Sequence, residues 1–304
     1  MIVGGIPLLL GGGGGTPGLA IFGYGLAAAV SSVTNLVSNT GVVATDTTGV
    51  GTARNDLAAA GYGTDKAIFG YGANAATDDV SLTNLVSNTG VVATDTTGVG
   101  TARQRLAAAG YGTDKAIFGY GNQSGFGRVS MTNLVSNTGV VATDTTGVGT
   151  ARQYLAATGY GTDKGIFGYG ETGPASSLTN LVSNTGVVSS NVTGVGTARA
   201  FLAATGYGTD KAIFGYGNDD TNNVSMTNLV SNTGVVATDT TGVGTARRSL
   251  AAAGYGTDKA IFGYGQAAAR SSLTNLVSNT GVVASDVTGV GTARQGLAAA
   301  RFGG

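Results

Sequence analysis

A unit of close to fifty residues occurs six times along this chain, and nothing else in the sequence constrains the fold as much. The Asn of TNLVSNTG recurs at Asn35, Asn84, Asn133, Asn180, Asn228 and Asn275, at spacings of 49, 49, 47, 48 and 47 residues. The Arg that ends GVGTAR recurs at Arg54, Arg103, Arg152, Arg199, Arg247 and Arg294, and the pentapeptide IFGYG also counts six. A period in this range with several short strands per unit is the signature of a β-propeller blade.

Four strands are predicted per unit. In the copy around Arg152 they are Gln153–Tyr160, Lys164–Tyr169, Met131–Ser136 and Gly139–Asp144. Val, Ile, Thr, Phe and Tyr fill them, as strands prefer. Gly-Thr-Asp-Lys and Ser-Asn-Thr-Gly separate them, with residues that tolerate the positive φ of tight hairpins. The Ala-rich LAAAGYG suits the innermost strand, where neighbouring blades crowd. IFGYG then comes second, TNLVS third and GVVATD outermost. The expected fold is all-β: a six-bladed β-propeller with four antiparallel strands per blade. Residues 19–304 form it. The closing blade is shared between 19–53 and 294–304, so that 19–25 pair antiparallel with 295–301 and no sheet edge is left open.

Residues 1–18 stand outside the repeat as an apolar, Gly-rich lead. Its run Ile6–Leu10 is too short to span a bilayer, and Gly11–Gly15 reads as a flexible linker. The lead is expected to be a flexible segment or a dock onto a larger assembly.

Net charge is zero and only 11% of residues are charged, which argues against nucleic-acid capture and against attraction to anionic membranes. With no Cys, no His and no Trp, the chain lacks thiolate ligands and the usual general base. A Ser-His-Asp triad is excluded, and no cofactor or metal is expected. The carboxylate pairs Asp78-Asp79 and Asp219-Asp220 lack the regular spacing of a calcium loop.

The unit resembles a kelch repeat. Arg152 matches the kelch Arg, Gly168-Tyr169-Gly170 sits where the Gly pair falls, and Val140 lies near the hallmark Trp position. The Trp is missing from all six units and Tyr splits the Gly pair, so the resemblance implies topology and leaves function open. The GVGTAR and GYGTDKAIFGYG wording is similar to repeats in tail-associated proteins of marine bacteriophages. That resemblance implies a virion-associated protein, with virion partners engaged through residues 1–18.

The six units differ in two zones: the loop after GYG and the pair of residues after each Arg. Alternating strand direction places both zones on one face, around the mouth of the central channel. A rigid scaffold with one variable loop face is a common way to build a binding surface. The candidate ligand-binding residues are Asn55, Asp56, Arg105, Asn122, Gln123, Phe126, Tyr154, Phe201, Asn218, Asn222 and Arg248. The repeated Arg residues are expected to be structural, bonding backbone carbonyls between blades. Asp65 and its equivalents are expected to form turns, and the swap of Asn191 for Asp in the Asp144 series points to hydrogen bonding rather than charge. The functional expectation is a non-enzymatic binding module with a glycan or protein receptor. The alternative is a structural or assembly component, or a scaffold without a selected ligand.

Overall fold

The structure is a computed structural model and describes residues 18–303. The lead, apart from Gly18, lies outside the described residues. Every regular element among them is a β-strand, arranged as six three-stranded antiparallel sheets and one two-stranded hairpin. In one sheet Ala58–Tyr62 pairs with Lys66–Gly70, which pairs with Thr83–Val86. The next four repeat this order, with first strands Ala107–Tyr111, Ala156–Tyr160, Ala203–Tyr207 and Ala251–Tyr255. Both chain ends build the sixth: Leu19–Gly23 lies between Thr34–Val37 and Ala298–Phe302, in the register Leu19↔Phe302 to Gly23↔Ala298. This ladder is shorter than the predicted one because residues 295–297 turn away into the ring described below.

Each first strand packs against the first strands of the two neighbouring sheets. Their Ala and Gly residues line a channel of about 410 Å³. The strands approach closely there: a Cβ at Gly159 would stand in van der Waals contact, 3.4 Å from the Gly110 carbonyl oxygen.

The predicted fourth strand does not form. GVVATD touches the third strand at two isolated bridges, Val37↔Val43 and Thr34↔Thr47 in the terminal sheet. Between them the third strand advances three residues and the outer segment four. One extra residue makes a β-bulge and breaks the ladder. The repeated Asn fills the gap: the Asn35 side-chain amide donates to the Ala44 carbonyl at 3.0 Å.

In the Gly-Thr-Asp-Lys hairpins, Gly63 and Thr64 carry positive φ and Asp65 does not. The Asp65 carboxylate pairs with Lys66 at 2.8 Å, and its main-chain carbonyl accepts from Gly303 N at 2.7 Å. Asp65 therefore lies in the hairpin turn as expected, and its carboxylate there engages Lys66.

Two contacts interlock neighbouring sheets. Phe214 lies so close over Gly168 that a Cβ there would meet its ring at 2.6 Å. The Tyr of each IFGYG is fully buried with φ between 61 and 65°. That conformation costs a non-glycine residue roughly 1–2 kcal/mol. The tyrosine recovers it by burial and by donation from its hydroxyl, as from Tyr71 to the Val99 carbonyl at 3.0 Å. Burial pushes the Tyr71 phenol up to about 12, the Arg103 charge opposing it.

The repeated arginines sit on these tyrosines. All six are 0% exposed, so none rings the channel mouth. Each guanidinium lies 4.5–4.9 Å from the ring of the tyrosine one sheet earlier. Nη2 donates to the third-strand Asn of its own sheet, at 2.8 Å for Arg103–Asn133 and 2.7 Å for Arg152–Asn180. The predicted carbonyl bonds exist, as from Arg103 to Thr101 and Tyr120, but they stay within one sheet and its lead-in. The tyrosine face makes the contact across sheets.

Five of the six arginines also face a carboxylate, at 3.3–3.9 Å. Asp144 accepts from the Thr101 amide and hydroxyl and from Asn133, and stands opposite Arg103. Hydrogen bonding and charge therefore both operate, which corrects the reading drawn from Asn191. Burial pushes the Asp144 carboxyl up, but its hydrogen bonds and Arg103 outweigh it and hold the group below the usual range. A carboxylate with a lowered folded pKa adds stability above its unfolded pKa, and that stability disappears as pH falls through the folded value.

In the Arg152 unit Asn191 takes the place of the carboxylate and accepts from the Thr150 amide as the aspartates do. Asn191→Asp is expected to raise the unfolding free energy by about 0.5–1 kcal/mol at neutral pH. The gain should vanish on acidification below the ordinary carboxylate range. Urea unfolding of the pair of proteins at neutral and acidic pH checks both statements.

Candidate binding face

The residue after each Arg forms a β-bridge to the first residue of the variable loop: Asn55↔Ala73, Gln104↔Asn122, Gln153↔Glu171, Ala200↔Asn218, Arg248↔Gln266 and Leu26↔Gln295. The two variable zones are thus side by side in all six sheets.

The next residue closes a ring. Arg105 N donates to the Asp56 carbonyl, Tyr154 N to Arg105, Phe201 N to Tyr154, Ser249 N to Phe201, Gly296 N to Ser249, and Asp56 N to Gly296, at 2.7–2.9 Å. All six have φ between 52 and 60°. That left-handed geometry suits only Gly296 among them. It turns six equivalent positions inward and presents a different side chain from each.

Four of those side chains and Arg248 form one continuous stack. Asp56 lies 3.7 Å from Arg105 Nε. The Arg105 guanidinium sits 4.7 Å over Tyr154, and the Tyr154 and Phe201 rings are 3.7 Å apart at 30°. Arg248 stands 5.6 Å from the centre of the Phe201 ring. Ser249 and Gly296 complete the circle with little bulk. The recess they enclose, about 80 Å³, is floored by leucines including Leu106 and Leu155. Burial pushes the Asp56 carboxyl above its ordinary range despite the attraction of Arg105. Burial also pushes the Tyr154 phenol up, with the Asp56 charge adding to it.

Around this centre stand the loops. Asn122–Gln123 pairs with Gly127–Arg128 in a short hairpin, and Phe126 at its tip is 81% exposed. Phe126 is the one exposed large aromatic among the described residues. Asn218 uses its side chain locally, donating to Asn223 and accepting from the Asp220 amide, while Asn222 is exposed. Arg248 donates to Gln266 at 3.4 Å.

The paired aspartates clasp neighbouring loops. Asp79 accepts from the Ser124 amide at 2.6 Å, and Asp220 from the Ala175 amide at 2.8 Å. Asp219 accepts from the amides of Thr221 and Asn222. Among the described residues no three potential metal-ligating side chains come together.

The sequence reading leaves out Gln153, Glu171 and Arg128, which form one connected set with Arg105. Arg105 donates to Gln153 at 3.3 Å, Gln153 donates to Glu171, and Glu171 lies 3.8 Å from Arg128. These residues tie the central stack to the Phe126 hairpin. One signal pointed to them: Glu171 is the only glutamate in the chain.

Neither a protein-family model nor a curated protein matches the chain.

Proposed function

We propose that the six sheets are blades of a closed six-bladed β-propeller, and that the chain is a non-enzymatic binding module that engages a protein receptor through its variable face. The observation that carries this reading is the ring of six equivalent backbone positions bearing Asp56, Arg105, Tyr154, Phe201, Ser249 and Gly296. Six repeats built to one plan diverge where they converge on a surface. A strained backbone there aims each side chain at the centre.

The glycan reading loses support from the same geometry. A sugar stacks on an open aromatic face. Tyr154 and Phe201 cover one another, and Arg105 and Arg248 each stand against one of the two rings. The open ring is Phe126, flanked by Asn122, Gln123 and Arg128. An aromatic anchor with Arg and amide neighbours suits a protein hot spot. The chain has no histidine or cysteine, and Asp56 and Glu171 are engaged by neighbours, which supports a binding role over catalysis. The likeness to phage tail repeats suggests that the receptor lies on a host cell.

Phe126→Ala is expected to weaken attachment to intact host cells at least tenfold, as truncation of an interface anchor does, with the melting temperature unchanged. Protease treatment of the cells should abolish attachment, and periodate should leave it. Attachment unaffected by Phe126→Ala would remove this face as the receptor site and favour a structural role. Loss on periodate alone would restore the glycan.

A further inference from the structure

The wide channel belongs to the face opposite the variable loops. Lys66, Lys115, Lys164, Lys211, Lys259 and Arg301 line it, one from each sheet. Five aspartates accompany the five lysines, so the rim carries five ion pairs and one cation in excess, Arg301. Each lysine has an adjacent aspartate at 2.7–3.4 Å. Asparagines of the Ser-Asn-Thr-Gly turns hold the other oxygen of three of these carboxylates, as Asn184 does for Asp163 at 3.2 Å. Such pairs are half-exposed and weak, and each ammonium keeps donors to spare.

Arg301 breaks the repeat. The equivalent residue is glycine in the other five sheets: Gly61, Gly110, Gly159, Gly206 and Gly254. From this innermost strand the Arg301 side chain runs past Gly254 and donates from Nη2 to the Gly256 carbonyl at 2.9 Å. Among the described residues it forms no ion pair with a carboxylate. The residue is exposed overall, and partial desolvation of its guanidinium against the neighbouring strand holds it below its ordinary value.

We propose that this channel is a binding site for a compact polyphosphate, with Arg301 as its fixed anchor and the five lysines as surrounding charges. The guanidinium fork matches phosphate geometry bidentately, whereas lysine contributes a mobile point charge. The cations stand at the end of a narrow recess walled by Ala and Gly, a shape that focuses their field along the axis. The volume of about 410 Å³ falls within the ordinary range of small-ligand sites. The site does not depend on the receptor reading, since it uses the other face.

Inorganic tripolyphosphate is the probe, with citrate as the carboxylate comparison, measured by titration calorimetry and thermal melting of the full chain. At about 100-fold over Kd, tripolyphosphate should raise Tm by roughly 4 °C. Affinity should fall steeply with added salt. Arg301→Gly installs the residue that five sheets already carry, so folding is retained, and it should weaken binding at least tenfold. Lys115→Gln combined with Lys164→Gln should weaken it further. Absence of binding by the unaltered chain would overturn the proposal. So would equal affinity in Arg301→Gly and the lysine variant, or tighter binding of citrate.

Discussion

Removal of residues 295–304 is expected to abolish the folded monomer. The deletion takes out Ala298–Phe302, the strand that Leu19–Gly23 pairs with along five residues. It also removes Gln295 and Gly296, and with them one bridge to Leu26 and two bonds of the central ring. Leu297 and Phe302 are 5% and 2% exposed, and their burial alone contributes roughly 3–6 kcal/mol. The neighbouring first strands Ala58–Tyr62 and Ala251–Tyr255 each lose a packing partner. Natural domains have only about 5–15 kcal/mol in total, so the loss approaches the whole stability. Circular dichroism should show no cooperative melt near the parent temperature, and size exclusion should show aggregates or oligomers that satisfy the open edge. A monomer with the parent Tm would contradict the role given to this strand.

Arg103→Ala is the second large effect. Arg103 is fully buried, bonded to the Tyr120 and Thr101 carbonyls and to Asn133, and laid 4.5 Å over Tyr71. Truncation leaves Asn133 Oδ1 and two carbonyls without this donor, leaves Asp144 without its cation, and opens a cavity between two sheets. Breaking a buried charged network of this kind costs about 3–5 kcal/mol. Arg103→Lys should recover little, because an ammonium cannot reproduce three donors in a fixed plane over an aromatic face. Urea unfolding measures both; a loss under about 1 kcal/mol for Arg103→Ala would show that the arginine is expendable.

The features legible in the sequence are those that period and residue type encode. Turn residues at fixed offsets located the strands, and alternating chain direction located the two variable zones, which the bridges such as Gln104↔Asn122 bring together. Three features escaped for physical reasons. The left-handed ring residues include Asp56, Arg105, Tyr154 and Phe201, none of which announces positive φ in the way glycine does. The break in the outer strand depends on a one-residue difference in advance between paired segments, which composition does not reveal. The partner of five of the buried arginines is an asparagine 28–30 residues on, and Arg294 reaches Asn35 near the other end of the chain; the recurrence of the asparagine in every unit was visible, but the direction of its side chain was not. Arg301 was visible too, as the one departure from glycine at its position, and it gained meaning only when the first strands were seen to line a channel.

Native-state hydrogen exchange tests the central claim most directly, because it reads the stability of each strand in place. If the chain ends knit the last sheet into a continuous ring, the amides of Leu19–Gly23 and Ala298–Phe302 should exchange as slowly as those of Ala156–Tyr160 and Lys164–Gly168, which lie far from either end in sequence. Exchange in the terminal strands at the rate of fraying ends, with the middle sheets still protected, would contradict it.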